Sequence, residues 1–156
     1  MFRTKKEDVV IITYDSYLAA IKNSVNTHLY RNFYAKVNNK KEDIVKNGEL
    51  SCAYFASSIL VIFDLIEAIH LTVDGTEKDL KRSGWDKKNK PEIGCVLIWV
   101  AKKYKDGGIH RHMGFYIGKD KAVSNDHEKG SPKVHHWTYA GKRKIEAIYC
   151  HRKLSS

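Results

Sequence analysis

The spacing of hydrophobic residues changes near the middle of this chain. Before Gly94 apolar side chains recur at helical intervals, and after it they alternate in short runs. Residues 15–30 carry apolar positions at roughly helical spacing, and either Asp15 or Ser16 would cap a helix there. Residues 52–69 are apolar on nearly every side, which predicts a helix buried in the middle of a domain.

Shorter patterns predict the segments around these helices. Residues 9–13 are apolar and β-branched, as in a short strand or a hydrophobic lead-in. Residues 37–48 combine charge with turn-forming side chains, which predicts a loop. Thr76 and Asp79 have the spacing of a capping box, so a short helix is expected to begin there and to end before Gly84.

Five short runs with period two follow Gly94 and predict β-strands, after a predicted loop over residues 85–94. The runs cover residues 95–104, 112–118, 121–125, 134–139 and 144–152. Helices in the first half and strands in the second predict an α+β fold, with the N-terminal helices packed on a C-terminal antiparallel sheet.

Length and composition indicate one domain that extends over residues 1–156. A chain of this size with 42% hydrophobic residues buries one core but not two. The N-terminus has neither the apolar core nor the small-residue cleavage site of a secretory signal. Because no apolar run reaches the ~20 residues that span a bilayer, we expect a cytoplasmic protein without membrane insertion.

The net charge of +10 favours anionic partners, among which nucleic acid is the first to consider. The basic residues are scattered along the chain, and no zinc finger, ribonucleoprotein motif or recognition helix accompanies them. A solvated basic surface is therefore the favoured interpretation, and nucleic-acid binding is the secondary one.

The cysteines direct attention to thiol chemistry. Their number, three, is odd, so at least one thiol is free. Neither CxxC pairs nor histidine spacings such as HExxH occur, so we expect no metal and no cofactor. Cys52 follows the N-cap candidate Ser51, and a helix N-terminus lowers the pKa of a thiol and offers a backbone N–H to an oxyanion. Free cysteines are nevertheless mostly buried and inert, so position alone does not identify a nucleophile.

Three elements in a fixed order carry a family resemblance. They are Ser51-Cys52-Ala53, residues 91–99 and the segment HMGFYIG at residues 112–118. This order resembles the NlpC/P60 group of papain-like cysteine amidohydrolases, which have a cysteine at the start of a buried helix, a "pGD" turn into a strand, and a histidine in an "HVGIYIG" strand. The resemblance covers residues 48–126 and implies a papain-like domain with a catalytic core at about 48–150. It also implies a Cys52 nucleophile and a His112 general base.

Strand geometry gives the histidine motif a physical basis. His112 and Gly114 point to one face of their strand, and Met113 and Phe115 point to the other. We expect the face of His112 to lie against the Cys52 helix, where Gly114 would permit a close approach. His110 shares that face and is the rival base, but the family motif favours His112.

The third catalytic residue remains open, with Asn125 and Asp126 as the site candidates and Ser124 as the remaining alternative. The family places a polar residue one strand after the histidine, and the matching position here is Ser124, which is a poor partner for an imidazole. Asp126 shares the face of Ser124, whereas Asn125 has the more suitable side chain but requires a β-bulge. Tyr34 is the candidate for the tyrosine that the family uses near its oxyanion.

The sequence therefore predicts a thiol hydrolase that cleaves an amide of peptide or peptidoglycan type through a thioester. Acyl transfer or thioester cleavage would use the same groups. The alternative is a catalytically silent papain-like module that holds an anionic partner, such as nucleic acid, on its basic surface.

Overall fold

The computed structural model describes residues 7–155, so residues 1–6 and Ser156 of the predicted domain lie outside the described residues. The elements in chain order are α1 (Thr13–Asn23), β1 (Tyr34–Val37), β2 (Lys40–Asp43), α2 (Cys52–Ile62), α3 (Val73–Arg82), β3 (Trp85–Lys87), β4 (Val96–Lys103), β5 (Ile109–Gly118), β6 (Lys121–Asp126), β7 (Ser131–His136), β8 (Ile145–His151) and a 3₁₀ turn (Arg152–Leu154). Strands β3 to β8 form an antiparallel sheet in the order β3-β8-β4-β5-β6-β7. The predicted α+β class is confirmed.

One face of the large sheet packs against the helices. Helix α2 lies across β5 and β6. Phe55 of α2 meets Phe115 of β5 edge to face, with ring centroids 5.5 Å apart, and Tyr17 of α1 meets the same ring at 5.8 Å. Met113 is fully buried in this cluster. The apolar run that begins at Cys52 therefore forms the central helix of the core, as its composition predicted.

The opposite face of the sheet carries a second, smaller apolar cluster. Leu97, Trp99 and Ile148 contribute to it, and the turn after β7 covers it. A disulfide between Cys95 and Cys150 joins the ends of the neighbouring strands β4 and β8. Cys52 is the free cysteine, in agreement with the odd cysteine count.

Two short strand pairs were missed by the sequence analysis. The predicted loop at residues 37–48 contains part of the hairpin β1–β2, which turns at Asn38 and Asn39. Both asparagines have positive φ, 49° and 64°, as a tight hairpin turn requires. The predicted loop at 85–94 contains β3, which pairs with β8. The two hairpin strands are only four residues long, and every residue of β2 is charged, so the pair shows no clear alternation.

Helix boundaries differ from those expected. Helix α1 ends at Asn23, seven residues before the predicted end, and Asn26 then adopts positive φ. Helix α2 ends at Ile62 rather than at 69, because Asp64 turns into the left-handed region. Helix α3 begins at Val73, three residues before the expected start, since the Thr72 hydroxyl accepts a hydrogen bond from the N–H of Gly75.

The apolar residues 9–12 form neither a strand nor a helix, and their side chains are exposed. Among residues 7–155, no helix combines the length and the apolar composition needed to cross a membrane.

Candidate functional site

Cys52 is the first residue of α2, and a hydrogen bond from β6 fixes the loop that precedes this helix. The side-chain amide of Asn125 donates to the carbonyl of Gly48 at 2.7 Å. Gly48 has φ +88°, and a Cβ at this position would lie 2.4 Å from the Cα of Gly130 in the β6–β7 turn. Only glycine fits such an approach between two backbones. The sheet therefore determines where the helix begins.

The start of α2 keeps an unpaired backbone donor. Ser51 occupies the N-cap position, but its hydroxyl makes no cap hydrogen bond and is buried without a partner. The N–H of Cys52 has no acceptor among the described residues. Amides in the first turn of a helix favour negative charge, so this N–H, which bonds to no other described residue, lies where it could stabilise an oxyanion on a carbonyl attacked by the thiol.

His112 lies in β5 with its ring 5.3 Å from that of Trp99, on the sheet face away from the helical core. The expectation that the face of His112 and Gly114 lies against α2 is therefore wrong. Met113 and Phe115 fill that contact because they are the bulky apolar residues of the strand. Gly114 instead allows a close approach by β6, since a Cβ there would lie 2.4 Å from the Val123 carbonyl oxygen.

The thiol and the imidazole nevertheless border the same cavity. Cys52 and His112 line one cavity of about 470 Å³, together with residues of the loops before α2 and α3 and of the start of β5. Within residues 7–155, no hydrogen bond joins the thiol to the imidazole. Hydrogen bonds between catalytic groups are often long in ligand-free enzymes and tighten when a substrate binds. The structure thus brings the predicted nucleophile and base to one cavity without pairing them.

A chain of hydrogen bonds begins at Nε2 of the His112 imidazole. Nε2 of His112 lies 2.9 Å from Oγ of Ser124, and the same Oγ lies 2.7 Å from Nε2 of His135 and 3.1 Å from the Tyr139 hydroxyl. Nδ1 of His135 is 2.8 Å from the backbone carbonyl oxygen of His136. The ring of Tyr139 stacks on that of His135 at 4.1 Å.

The donors and acceptors along this chain of hydrogen bonds determine which nitrogen of His112 has no partner. A carbonyl oxygen only accepts, so Nδ1 of His135 carries a proton and its Nε2 accepts the Ser124 hydroxyl. Ser124 has one proton to give, so its Oγ accepts from both the Tyr139 hydroxyl and Nε2–H of His112. Neutral His112 then keeps a lone pair on Nδ1, which has no hydrogen-bond partner among the described residues. An imidazole in this tautomer can act as a general base.

The two side chains considered for the third position make their hydrogen bonds elsewhere. Asn125 is buried and ties β6 to Gly48, as described above. Asp126 accepts from the backbone N–H groups of Glu128 and Lys129 and closes the β6–β7 turn. Neither side chain hydrogen-bonds the imidazole. Ser124 makes that contact, and its hydroxyl can accept from His112 because it donates its own hydrogen bond to His135.

The electrostatics of Cys52 differ from those expected of a helix N-terminus. Burial raises the pKa of the Cys52 thiol above its ordinary value, although the backbone N–H groups of Met113 and Ala53 and the charge of Arg143 act in the opposite direction. The expected lowering of this pKa is therefore wrong for the free protein, because desolvation of a thiolate outweighs the nearby donors.

His112 is held in its neutral form. Burial lowers the pKa of this imidazole well below its usual value, and the charge of Arg143 lowers it further. A thiol that resists ionisation beside an imidazole that resists protonation forms a neutral pair. The free protein therefore holds a thiol and a base rather than a thiolate–imidazolium ion pair.

The rival base and the tyrosine candidate have distinct surroundings. His110 also lines the cavity of Cys52, and its Nε2 lies 3.0 Å from a carboxylate oxygen of Asp106. Tyr34 is exposed on β1 beneath the amine of Lys41 and lines neither of the two cavities near His112.

Sequence reasoning missed the side chains that surround the imidazole. Tyr104 and His112 line both the Cys52 cavity and a second one of about 370 Å³. Arg143 lines the second cavity. His135 and Tyr139 come from β7 and the turn after it, and they carry no motif. Only the strand pairing of β6 with β7 brings them to Ser124.

No protein-family model matches this chain, and no curated protein matches it.

Proposed function

We propose that this protein is a thiol hydrolase in which Cys52 attacks the carbonyl carbon of an amide. One observation carries the proposal: a free thiol at a helix N-terminus and an imidazole with an unoccupied Nδ1 line the same cavity. A nucleophile, a base and a group that holds the base are the parts that covalent acyl chemistry needs.

The reaction proceeds in two acyl-transfer steps. Nδ1 of His112 takes the thiol proton as sulfur forms a bond to the carbonyl carbon, and the carbonyl oxygen becomes an oxyanion near the Cys52 N–H. The C–N bond then breaks, the imidazolium returns its proton to the leaving amine, and a thioester remains on Cys52. Water attacks the thioester with His112 again as base, which releases the carboxylic acid and restores the thiol.

Ser124 and His135 act as positioning residues for His112 in this scheme. Ser124 accepts from Nε2–H and stabilises the imidazolium that forms, while His135 keeps the serine hydroxyl pointed away from His112. The pair replaces the single polar side chain that usually orients a catalytic histidine.

The order of the elements supports a distant relationship to the papain-like NlpC/P60 enzymes. A helix that begins with cysteine is followed by a histidine strand and then by a strand that carries the residue bonded to that histidine. We therefore propose a peptide or peptidoglycan-type amide as the substrate. The same groups would also serve acyl transfer or thioester cleavage.

The proposal is tested by trapping the acyl-enzyme. The protein is mixed with p-nitrophenyl acetate, which is an activated acyl donor, and the adduct is located by intact-mass and peptide mass spectrometry. We expect one acetyl group on Cys52, formed more slowly in His112→Ala and absent in Cys52→Ala. Acetylation confined to surface lysines, or an adduct on Cys52 that forms equally fast in His112→Ala, would refute the proposal.

A second candidate function is a binding module without catalysis. The missing hydrogen bond between the thiol and the imidazole, the raised pKa of Cys52 and the net charge of +10 favour it. Such a protein would bind nucleic acid with an affinity that falls steeply as salt increases, and its Cys52 would remain unacylated.

A further inference from the structure

Arg143 is a cation held in place without a carboxylate partner. Its Nε donates to the carbonyl of Val100 at 3.1 Å, and Nη2 donates to the carbonyl of His110 at 3.1 Å. Nη1 lies 3.4 Å from the hydroxyl of Tyr104. The side chain is half-buried, and no acidic group of the described chain forms an ion pair with it. All three of its partners are neutral acceptors.

This anchoring leaves hydrogen-bond donors unused. A guanidinium has five N–H groups in a planar fork, so two of the five remain after these three bonds. Arg143 lines the cavity of about 370 Å³ that His112 also lines. A fixed guanidinium with free donors is suited to bidentate binding of a carboxylate or a phosphate, because its geometry needs little further ordering.

The rest of this cavity is also positively charged. Lys102, Lys103 and Lys142 line it, and within residues 7–155 none of them lies within ion-pair distance of a carboxylate. The two acidic residues of the lining are already engaged. Asp126 pairs with Lys133, and Glu128 pairs with Lys105. The cavity is therefore left with uncompensated positive charge.

An uncompensated, partly buried cation is unfavourable for the protein alone. Desolvation of a charge is costly unless an opposite charge or strong hydrogen bonds replace the water. Fixed cations persist most readily where a ligand supplies the missing negative charge. His112 lines both this cavity and the cavity of Cys52, so a ligand seated against Arg143 would lie beside the reacting groups.

We propose that this cavity binds an oxyanion, either a carboxylate or a phosphate, with Arg143 as its main contact. In terms of the proposed function, on which this part of the inference rests, the substrate of Cys52 carries a negatively charged group that extends past His112. The lysines around the cavity strengthen the attraction, and the Arg143 fork determines the position of the anion.

The direct test is a nuclear magnetic resonance titration with inorganic phosphate and, separately, with glutarate, each at constant ionic strength. We expect saturable shifts of the ring signals of His112 and His127, both of which line the cavity. Binding should weaken by about tenfold in Arg143→Lys, which keeps the charge and loses the fork. Lys36→Gln removes one positive charge from the β1–β2 hairpin, at a residue that lines neither cavity, and should leave the affinity unchanged. Saturation by phosphate alone or by glutarate alone identifies the ligand chemistry, and saturation by neither would overturn the proposal.

A second measurement separates this inference from the proposed function. Iodoacetate and iodoacetamide alkylate the same thiol and differ mainly in charge, so the ratio of their rates at Cys52 reports the local field. We expect this ratio to fall by about tenfold in a Lys102→Gln/Lys142→Gln double variant, because two cations leave the cavity. An unchanged ratio would contradict an anion site beside Cys52. Anion binding in a protein whose Cys52 cannot be acylated would refute the hydrolase and leave the anion site standing.

Discussion

The hydroxyl of Ser124 lies between two imidazoles and determines what His112 can do. It accepts from one ring and donates to the other, so each ring is held in a defined tautomer. A serine alone is a weak partner for a catalytic histidine because its hydroxyl can turn around. His135 removes that freedom because its Nε2 accepts the hydrogen bond of the Ser124 hydroxyl.

Removal of this hydroxyl should impair the base and the fold together. In Ser124→Ala, the buried ring nitrogen of His112 and the half-buried one of His135 lose their partner, which should cost about 1–3 kcal/mol of folding free energy. We expect acylation of Cys52 to slow by roughly tenfold to a hundredfold because the imidazole loses its orientation. Urea unfolding and acylation kinetics measure the two effects. Ser58→Ala is the matched control, since Ser58 is a buried serine of α2 with no hydrogen-bond partner.

Replacement of the second histidine separates positioning from stability. His135→Phe keeps a ring against Tyr139 but offers no acceptor, so the Ser124 hydroxyl is free to donate to Nε2 of His112. The proton of His112 then moves to Nδ1, and the lone pair that should take the thiol proton disappears. We expect slow acylation in a folded protein, with the tautomer change visible in the ¹⁵N spectrum of His112. An unaltered tautomer would show that His135 does not control the base.

At the scale of the elements, the contact between the loop before α2 and the β6–β7 turn sets the position of Cys52. In Gly48→Ala the new Cβ meets the backbone of Gly130, whereas in Gly107→Ala it meets nothing within 4 Å, although both glycines have φ above +80°. Both variants share the cost of placing alanine at positive φ. The difference between their free energies of unfolding therefore measures the clash with Gly130 alone. We expect Gly48→Ala to be less stable than Gly107→Ala by roughly 1–3 kcal/mol in urea unfolding. Equal stabilities would mean that the loop shifts freely.

Helix α3 depends on a buried carboxylate. Asp79 accepts from the backbone N–H groups of Glu67 and Ala68, and its Oδ2 lies 2.6 Å from Nε2 of His70. Burial opposes ionisation, yet these hydrogen bonds and one from Ser83 lower the pKa of Asp79 below its usual value.

The sign of the resulting pH dependence follows from that lowered pKa. A carboxylate with a depressed folded pKa stabilises the protein above its unfolded pKa of about 3.9, and this contribution is lost as the pH falls through the folded value. Asp79→Asn should therefore cost roughly 2–4 kcal/mol at neutral pH and should flatten the loss of stability in acid. Urea midpoints between neutral pH and acid measure both effects. Asp86→Asn, which replaces an exposed acid of β3, should change neither the stability at neutral pH nor its loss in acid.

Some elements and residue roles could be predicted from the sequence, and others could not. The Cys52 helix and the strand of His112 were predicted because their apolar patterns are long and regular. The face of His112 was predicted wrongly, since alternation indicates which residues share a face but not which face meets the helix. The role of His135 was out of reach, because it depends on the pairing of β6 with β7. The turn at Asn38 and Asn39 was a missed signal, since paired asparagines favour positive φ.

For the molecule as a whole, the Cys95–Cys150 disulfide bears on where the protein works. Disulfides persist in oxidising compartments and are rare in the cytosol of most cells. The compartment in which this protein works is not fixed by the bond, and the cytoplasmic location stays a prediction. The free thiol of Cys52 and the disulfide lie on opposite faces of the sheet, so the sheet separates Cys52 from the bridge.

Burial of Cys52 and His112 bears on how the proposed acyl transfer would begin. Burial raises the pKa of Cys52 and lowers that of His112, so neither group is charged over a wide range around neutral pH. In the proposed reaction, the proton would therefore move from sulfur to Nδ1 as the substrate is attacked, rather than before it. The proposed mechanism thus differs from one that begins with a preformed thiolate.

The most direct test of this account is the pH dependence of Cys52 acylation by p-nitrophenyl acetate in the wild type, His112→Ala and His110→Ala. In the wild type and in His110→Ala, we predict a rate that is flat between the ordinary pKa values of histidine and cysteine, 6.5 and 9.0. In His112→Ala the rate should be lower and should rise about tenfold per pH unit, because only the thiolate reacts without a base. A flat profile that survives in His112→Ala and disappears in His110→Ala, or a wild-type rate that simply follows thiolate formation, would contradict the assignment of His112 as the base.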